Sequence, residues 1–198
     1  MKKIAKLQIF VKSELFLTLA VSVILLPVQW ILSWCAAALV HECFHYIAIR
    51  IMGVKVFSVT VGATGAIMET DTMHPLQEFF CALAGPIGAF AILIFKEVLP
   101  YVVLFVCIHS SYNLLPLYPL DGGRALHSLI AHFFGDLNAI RYTVIINNTV
   151  LSVLAFLSFL LTIRYQLGTT PMILILLLSL RIQKANYSLQ RQKTNSTI

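Results

Sequence analysis

The chain has 198 residues, of which 59% are hydrophobic and only 11% are charged, and its formal net charge is +6. Because about a quarter of the residues of an ordinary soluble domain are charged, this composition excludes a water-soluble globular protein. It indicates a polytopic protein of the lipid bilayer. The basic residues are spread over loops and tails rather than gathered in one stripe, so the positive charge does not indicate a nucleic-acid partner.

The N-terminal segment, residues 1–30, resembles a signal peptide because basic residues precede an apolar run. No polar region with small residues for cleavage follows it, so we interpret it as a retained first span. Pro27 is expected to break the long apolar run into two spans. The sequence predicts six spanning helices, at roughly residues 13–27, 30–52, 77–95, 98–117, 142–163 and 170–186.

The predicted fold class is an all-α polytopic membrane protein with about six transmembrane helices and a short membrane-associated β-hairpin. No repeat or linker divides the sequence, so residues 1–186 are predicted to form one intramembrane domain. Residues 187–198 form a polar C-terminal tail that we expect to be frayed or disordered.

Lysine and arginine predict the orientation of the spans, since cytoplasmic loops are enriched in both residues. With six spans, Lys96 and Arg164 lie on one side of the membrane, and the other twelve of the fourteen basic residues lie on the opposite side. We therefore expect the N- and C-termini to be cytoplasmic.

Residues 54–70 differ from the spans because valine and threonine favour strands and the segment is too short and too punctuated to cross as a helix. Gly62 and Gly65 permit a tight turn, which predicts a β-hairpin at the inner leaflet. An irregular loop is the alternative. Strand edges are not tolerated in lipid, so the hairpin must be shielded by protein or joined by a partner strand.

The motif HECFH, at residues 41–45, lies within a predicted span. On a helix, the i, i+4 spacing places His41 and His45 on one face about one turn apart, which suits two ligands of a single zinc ion. Glu42 can then act as general base towards a water on the metal. Ionisable groups inside a span are costly and indicate a functional site; a set of interhelical hydrogen bonds is the alternative.

Catalytic zinc normally takes three protein ligands and leaves one position for water. Of the eight carboxylates, Asp121 is the best candidate because it follows the fourth predicted span and reaches the inner membrane edge, as the two histidines do. Pro116 and Pro119 end the preceding helix, and the glycines at 122 and 123 permit a sharp turn. A plain turn at a membrane exit would use similar residues.

Together these residues resemble the site-2 protease family of intramembrane zinc metalloproteases. One family signature, HExxH, matches residues 41–45, and the other, N-x-x-P-x-x-x-L-D-G, matches residues 113–122 at every defined position. The run ALAGPIGA at residues 82–89 is similar to the third span of that family. The resemblance covers roughly residues 10–185.

The resemblance implies one zinc ion per chain, bound by His41, His45 and Asp121, with Glu42 activating water. It also implies that Asn113 helps to hold a membrane-associated protein substrate, for which an interhelical hydrogen bond is the alternative role. The family receives its substrate as an added strand on a hairpin, which assigns Gly62 and Gly65 to the substrate-binding segment. Inhibitory membrane proteins are a further class of partner.

Within the family, the layout of spans is most similar to the sporulation proteases of bacterial cell membranes that release a sigma factor from a membrane-tethered precursor. Those enzymes carry a C-terminal nucleotide-sensing CBS domain, which has no counterpart in these 198 residues. The resemblance therefore does not extend to regulation by nucleotide through such a domain.

Two other classes of function are consistent with an HExxH motif in a membrane. A zinc transporter or channel needs polar groups along its full depth, and the outer halves of the predicted spans offer few. A non-catalytic protein that retains membrane clients would not need the intact base. Among other polar residues, His109 could be a hydrogen-bond partner of a metal ligand or a rival ligand, although we expect an interhelical bond.

Overall fold

The computed structural model describes residues 8–63, 65–165 and 169–195. Three strands and seven α-helices follow one another in the order β1 (Gln8–Val11), α1 (Ser13–Leu25), α2 (Val28–Ile51), β2 (Val56–Gly62), β3 (Gly65–Thr70), α3 (Pro75–Ala89), α4 (Pro100–Asn113), α5 (Asp121–Phe134), α6 (Asp136–Tyr165) and α7 (Thr170–Asn195). A 3-10 helix, Phe90–Phe95, continues from α3. The chain forms two compact units, Met1–Asn113 and Leu114–Ile198, a subdivision that the sequence did not predict.

The chain is an integral membrane protein. Four helices are long and apolar enough to cross a bilayer: Val28–Ile51, Pro75–Phe95, Asp136–Tyr165 and Thr170–Arg191. Each of the six predicted spans coincides with a helix, but α1 has 13 residues and α4 has 14. About 20 residues are needed to cross the hydrocarbon core as a helix, so the prediction of six spans is not confirmed.

In the first unit, α2 packs against α3 and α4 through small side chains. Ala37 of α2, Ala89 of α3 and Val106 of α4 form one buried cluster. Ala82 and Gly85 are also buried along α3, where small residues allow neighbouring helices to approach closely. Helix α3 continues past Pro86 to Ala89.

The predicted hairpin is present within a three-stranded sheet of order β1-β2-β3. Strands β2 and β3 pair antiparallel, with Gly62 opposite Gly65, and β1 pairs parallel to β2. Gly65 has φ 118°, a conformation that L side chains rarely adopt. The sequence did not predict β1, because four residues before a helix carry too little periodicity. By pairing with β2, strand β1 covers one edge of that strand.

The second unit is built on α6 and α7, with α5 packed against α6. Leu117 and Leu120, from the segment before α5, are buried with Leu178 and Ile182 of α7. Helix α7 continues to Asn195, so the tail predicted to be frayed from residue 187 is helical that far. The reason is that Leu189 lies on the same buried face as Ile182, seven residues earlier, and is only 2% exposed.

Candidate metal centre

His41 and His45 form a close pair of imidazoles on one face of α2, as their spacing predicts. Both side chains are buried, at 2% and 8% exposure, and their Nε2 atoms lie 3.1 Å apart. Two nitrogens bound tetrahedrally to zinc at about 2.0–2.1 Å would be about 3.3 Å apart. The observed separation therefore fits two ligands of one zinc ion.

The orientation of the His45 ring is set by α3. Nδ1 of His45 lies 2.8 Å from the main-chain carbonyl oxygen of Cys81, to which it donates a hydrogen bond. The neutral ring then presents Nε2 as the lone-pair nitrogen. Gly85 faces the same ring so closely that a Cβ there would overlap with Nε2. Residues 81 and 85 of α3 thus leave room for His45 and fix its tautomer.

His109 of α4 lies beside the histidine pair. Its ring meets the ring of His41 edge to face, with centroids 4.7 Å apart, and meets Trp34 in the same manner at 5.6 Å. His109 thus contacts a neighbouring helix, α2, through its ring. These contacts with Trp34 and His41 pack the histidine pair from the side of α4.

Glu42 is half-buried and faces the hairpin. Its Oε1 accepts a hydrogen bond of 3.2 Å from the main-chain N–H of Ala66 in β3. Gly65 precedes this contact, and a Cβ at position 65 would lie 3.5 Å from the same carboxylate oxygen. Strand β3 therefore contacts the candidate base directly. A Cβ at Gly62, the last residue of β2, would instead lie 3.5 Å from Cδ of Lys12.

Asn113 is the last residue of α4. Its Nδ2 donates a hydrogen bond of 3.0 Å to the carbonyl oxygen of His109, one turn earlier on the same helix. The side-chain amide of Asn113 thus bonds within α4.

Asp121 belongs to the second unit, where it is the first residue of α5 and is 8% exposed. A carboxylate at a helix N-terminus is stabilised by the free N–H groups of the first turn. Nη1 of Arg124, one turn on, lies 3.8 Å from Oδ1 of Asp121.

The two glycines after Asp121 do not serve the purpose that the sequence suggested. Neither Gly122 nor Gly123 has a positive φ, so no sharp turn depends on them. Instead, a Cβ at position 122 would overlap with the carbonyl oxygen of Leu114, and one at 123 with the main-chain nitrogen of Tyr118. They are needed because the first turn of α5 packs directly on the backbone of residues 114–118.

Two contacts of this site were missed by sequence reasoning, namely the carbonyl of Cys81 and the amide of Ala66. Both are main-chain groups, which every residue type carries, so no motif marks them. The small-residue run of α3 was the available signal for the first contact.

The residues and fold define a membrane protein whose helices carry a histidine pair with zinc-ligand spacing. No family model matches the chain. It is 32% identical over 120 residues to Rip3 of Mycobacterium tuberculosis, a protein whose name places it among the zinc metalloproteases; the match covers 51% of this chain and 30% of that protein.

A second curated relative is the zinc metalloprotease MJ0392 of Methanocaldococcus jannaschii, which is 24% identical over 119 residues, covering 53% of this chain and 35% of that protein. The matches therefore span about a third of the length of these relatives. Among solved structures, the site-2 protease from Methanocaldococcus jannaschii is similar with a TM-score of 0.65 and 20% identity, over 98% of this chain and 94% of that one. The chain thus has the fold of a site-2 protease.

Proposed function

We propose that the chain is an intramembrane zinc endopeptidase that hydrolyses a peptide bond of a membrane-associated protein. The observation that carries this proposal is the buried pair of imidazole nitrogens, 3.1 Å apart, with a glutamate on the same turn of a helix long enough to span the membrane. The zinc metalloprotease names of the relatives and the site-2 protease fold support it.

In this proposal His41, His45 and Asp121 hold one zinc ion per chain. Catalytic zinc takes three protein ligands, and Asp121 is a buried carboxylate in the sequence pattern L-D-G that follows the fourth predicted span. When bound, zinc supplies a Lewis acid that activates water and polarises the peptide carbonyl.

Glu42 is the proposed general base. It is one residue from His41 in the sequence, on the same turn of α2. It accepts the proton of the attacking water and delivers it to the nitrogen of the leaving peptide. The bond from Ala66 holds Oε1 on the side of the hairpin, where a substrate strand would arrive.

The edge of β3 is the proposed substrate-binding surface. Strand β3 lies at the edge of the sheet, and no further strand of the described chain pairs with its outer side. A substrate segment unwound from its helix can hydrogen-bond to such an edge, which brings it beside Glu42. Gly62 and Gly65 pair with each other at the turn end of this hairpin, and Asn113 contributes an amide to the bound substrate. Inhibitory membrane proteins could act by covering the same edge.

The proposed location is a bacterial cell membrane with both termini in the cytoplasm. The distribution of lysine and arginine among the loops supports this orientation. The proposed substrate class is a membrane-tethered regulatory precursor, of which a pro-sigma factor is one example. The layout of the predicted spans, which is most similar to that of the sporulation proteases, is the support for that finer assignment.

The decisive experiment compares purified wild type with Glu42→Gln in proteoliposomes. We expect about one zinc per chain in both proteins, and cleavage by wild type alone of a panel of single-span peptides with helix-breaking residues near one end. Cleavage by the Glu42→Gln protein would exclude the proposed base. Absence of zinc from wild type would exclude the metalloenzyme, and zinc flux into the vesicles would favour a transporter.

A further inference from the structure

Asn147 of α6 is a buried asparagine whose side-chain amide makes two hydrogen bonds to the main chain of one residue, Tyr118. Its Oδ1 accepts a hydrogen bond of 2.9 Å from the N–H of Tyr118, and its Nδ2 donates one of 3.2 Å to the carbonyl oxygen of Tyr118. Asn147 is 0% exposed. It therefore holds the backbone at Tyr118 as a neighbouring strand would.

The orientation of this amide is fixed by its two bonds to Tyr118, because a flipped amide would place Nδ2 against the N–H of Tyr118. The remaining N–H of Nδ2 donates a bond of 2.6 Å to Oδ1 of Asn186 on α7, and Nδ2 of Asn186 donates one of 3.2 Å to Oδ1 of Asn148. Asn186 therefore adds a bond to this amide without being needed for the bonds to Tyr118.

Tyr118 belongs to the segment that leads into Asp121. Pro116 and Pro119 flank it and have no N–H to donate, so this stretch cannot be held by a regular hydrogen-bond ladder. Leu117 and Leu120 anchor the segment by burying their side chains. The amide of Asn147 adds a directional restraint on the main chain between them.

The segment passes this restraint to Asp121 by direct contact. The main chain of Tyr118 packs on Gly123, and that of Leu114 packs on Gly122, without space for a Cβ on either glycine. Any shift of the segment must therefore move the first turn of α5, on which Asp121 stands.

We propose that Asn147 is a positioning residue that sets the place of the Asp121 carboxylate through the backbone of Tyr118. The inference rests on the proposed function, in which Asp121 is a zinc ligand. A purely structural role would be to join α6 to α7, and Asn186 serves that role through its bonds to Asn147 and Asn148.

The test compares wild type with Asn147→Leu, Asn186→Leu and Asp121→Ala, all purified in detergent. Zinc affinity is measured by competition with a chelator, and amide hydrogen exchange is measured for peptides covering residues 114–124. We expect Asn147→Leu to weaken zinc binding at least tenfold and to accelerate exchange in that segment. Asn186→Leu, the matched control, should lower thermal stability comparably and keep zinc affinity within about twofold.

Equal loss of zinc affinity in Asn147→Leu and Asn186→Leu would overturn the inference, as would wild-type affinity in Asn147→Leu. Asp121→Ala separates this failure from failure of the proposed function: if it retains zinc, the ligand set itself is wrong. Should Asn147→Leu not accumulate, Asn147→Ser carries the same comparison, because its hydroxyl can keep at most part of the bonding to Tyr118.

Discussion

Gly85 of α3 lies directly against the Nε2 edge of His45 on α2, with no space for a methyl group between the helices. The same helix supplies the carbonyl oxygen that bonds Nδ1 of this ring. Helix α3 therefore orients His45 in two ways. A carbonyl oxygen of α3 bonds Nδ1 of the ring, and the glycine at position 85 leaves space for the Nε2 edge.

Gly85→Ala is expected to displace the His45 ring and abolish zinc binding while leaving the protein folded. The added methyl group would meet the imidazole of His45, which can rotate away. The substitution therefore disturbs the position of the imidazole more than the packing of the two helices. Metal analysis of the purified variant measures this. Gly88→Ala is the matched control because its methyl group would meet Phe44 instead; we expect reduced stability there with zinc retained. Equal zinc loss in both variants would contradict the prediction.

Gly65→Ala is expected to reduce cleavage at least tenfold with zinc content unchanged. A side chain at φ 118° costs about 1–3 kcal/mol, and relaxing this strain moves the strand that contacts Glu42. Gly53→Ala serves as control, since Gly53 also has a positive φ, of 75°, but has nothing within 4 Å of the added Cβ. If the two variants lose activity equally, backbone strain alone explains the effect.

His109→Phe is expected to retain about one zinc per chain and to keep cleavage within about tenfold of wild type. Phenylalanine preserves the edge-to-face contacts that this ring makes with His41 and Trp34. Zinc analysis of this variant beside His45→Ala checks the assignment. Loss of zinc from His109→Phe would make His109 a ligand.

Leu189→Ala is expected to destabilise the protein by about 2–5 kcal/mol, the usual range for a buried leucine truncated to alanine. Leu189 is 2% exposed in the helical tail, whereas Tyr187 is 70% exposed in the same turn region. Thermal unfolding in detergent should therefore show a lower Tm for Leu189→Ala and little change for Tyr187→Ala. A similar Tm for both variants would mean that the tail does not pack.

A reporter enzyme that is active only in the cytoplasm, fused after residue 198, is expected to be active in cells. The reason is the excess of lysine and arginine on the side of the termini under six spans. The matched fusion within the loop at Lys96 should be inactive. Activity only of the Lys96 fusion would invert the proposed orientation.

The membrane class, the helix that carries the histidine pair, and the hairpin could all be predicted without a structure. Each depends on residue type and local spacing: uninterrupted apolar runs, two histidines four residues apart in HECFH, and valines beside Gly62 and Gly65. The predictions of the helix ends and of the C-terminal tail were less accurate. Helix α4 stops at Asn113 instead of residue 117, and α7 continues to Asn195 because its end makes tertiary contacts.

The contacts between residues far apart in the sequence could be identified only from the tertiary structure. The addition of β1 to β2, the bond from His45 to the carbonyl of Cys81, and the hold of Asn147 on Tyr118 all use main-chain groups. Every residue carries those groups, so their partners leave no mark in residue type. The glycines after Asp121 illustrate the same limit: their sequence is compatible with a turn or with close packing, and the neighbouring backbone decides between the two.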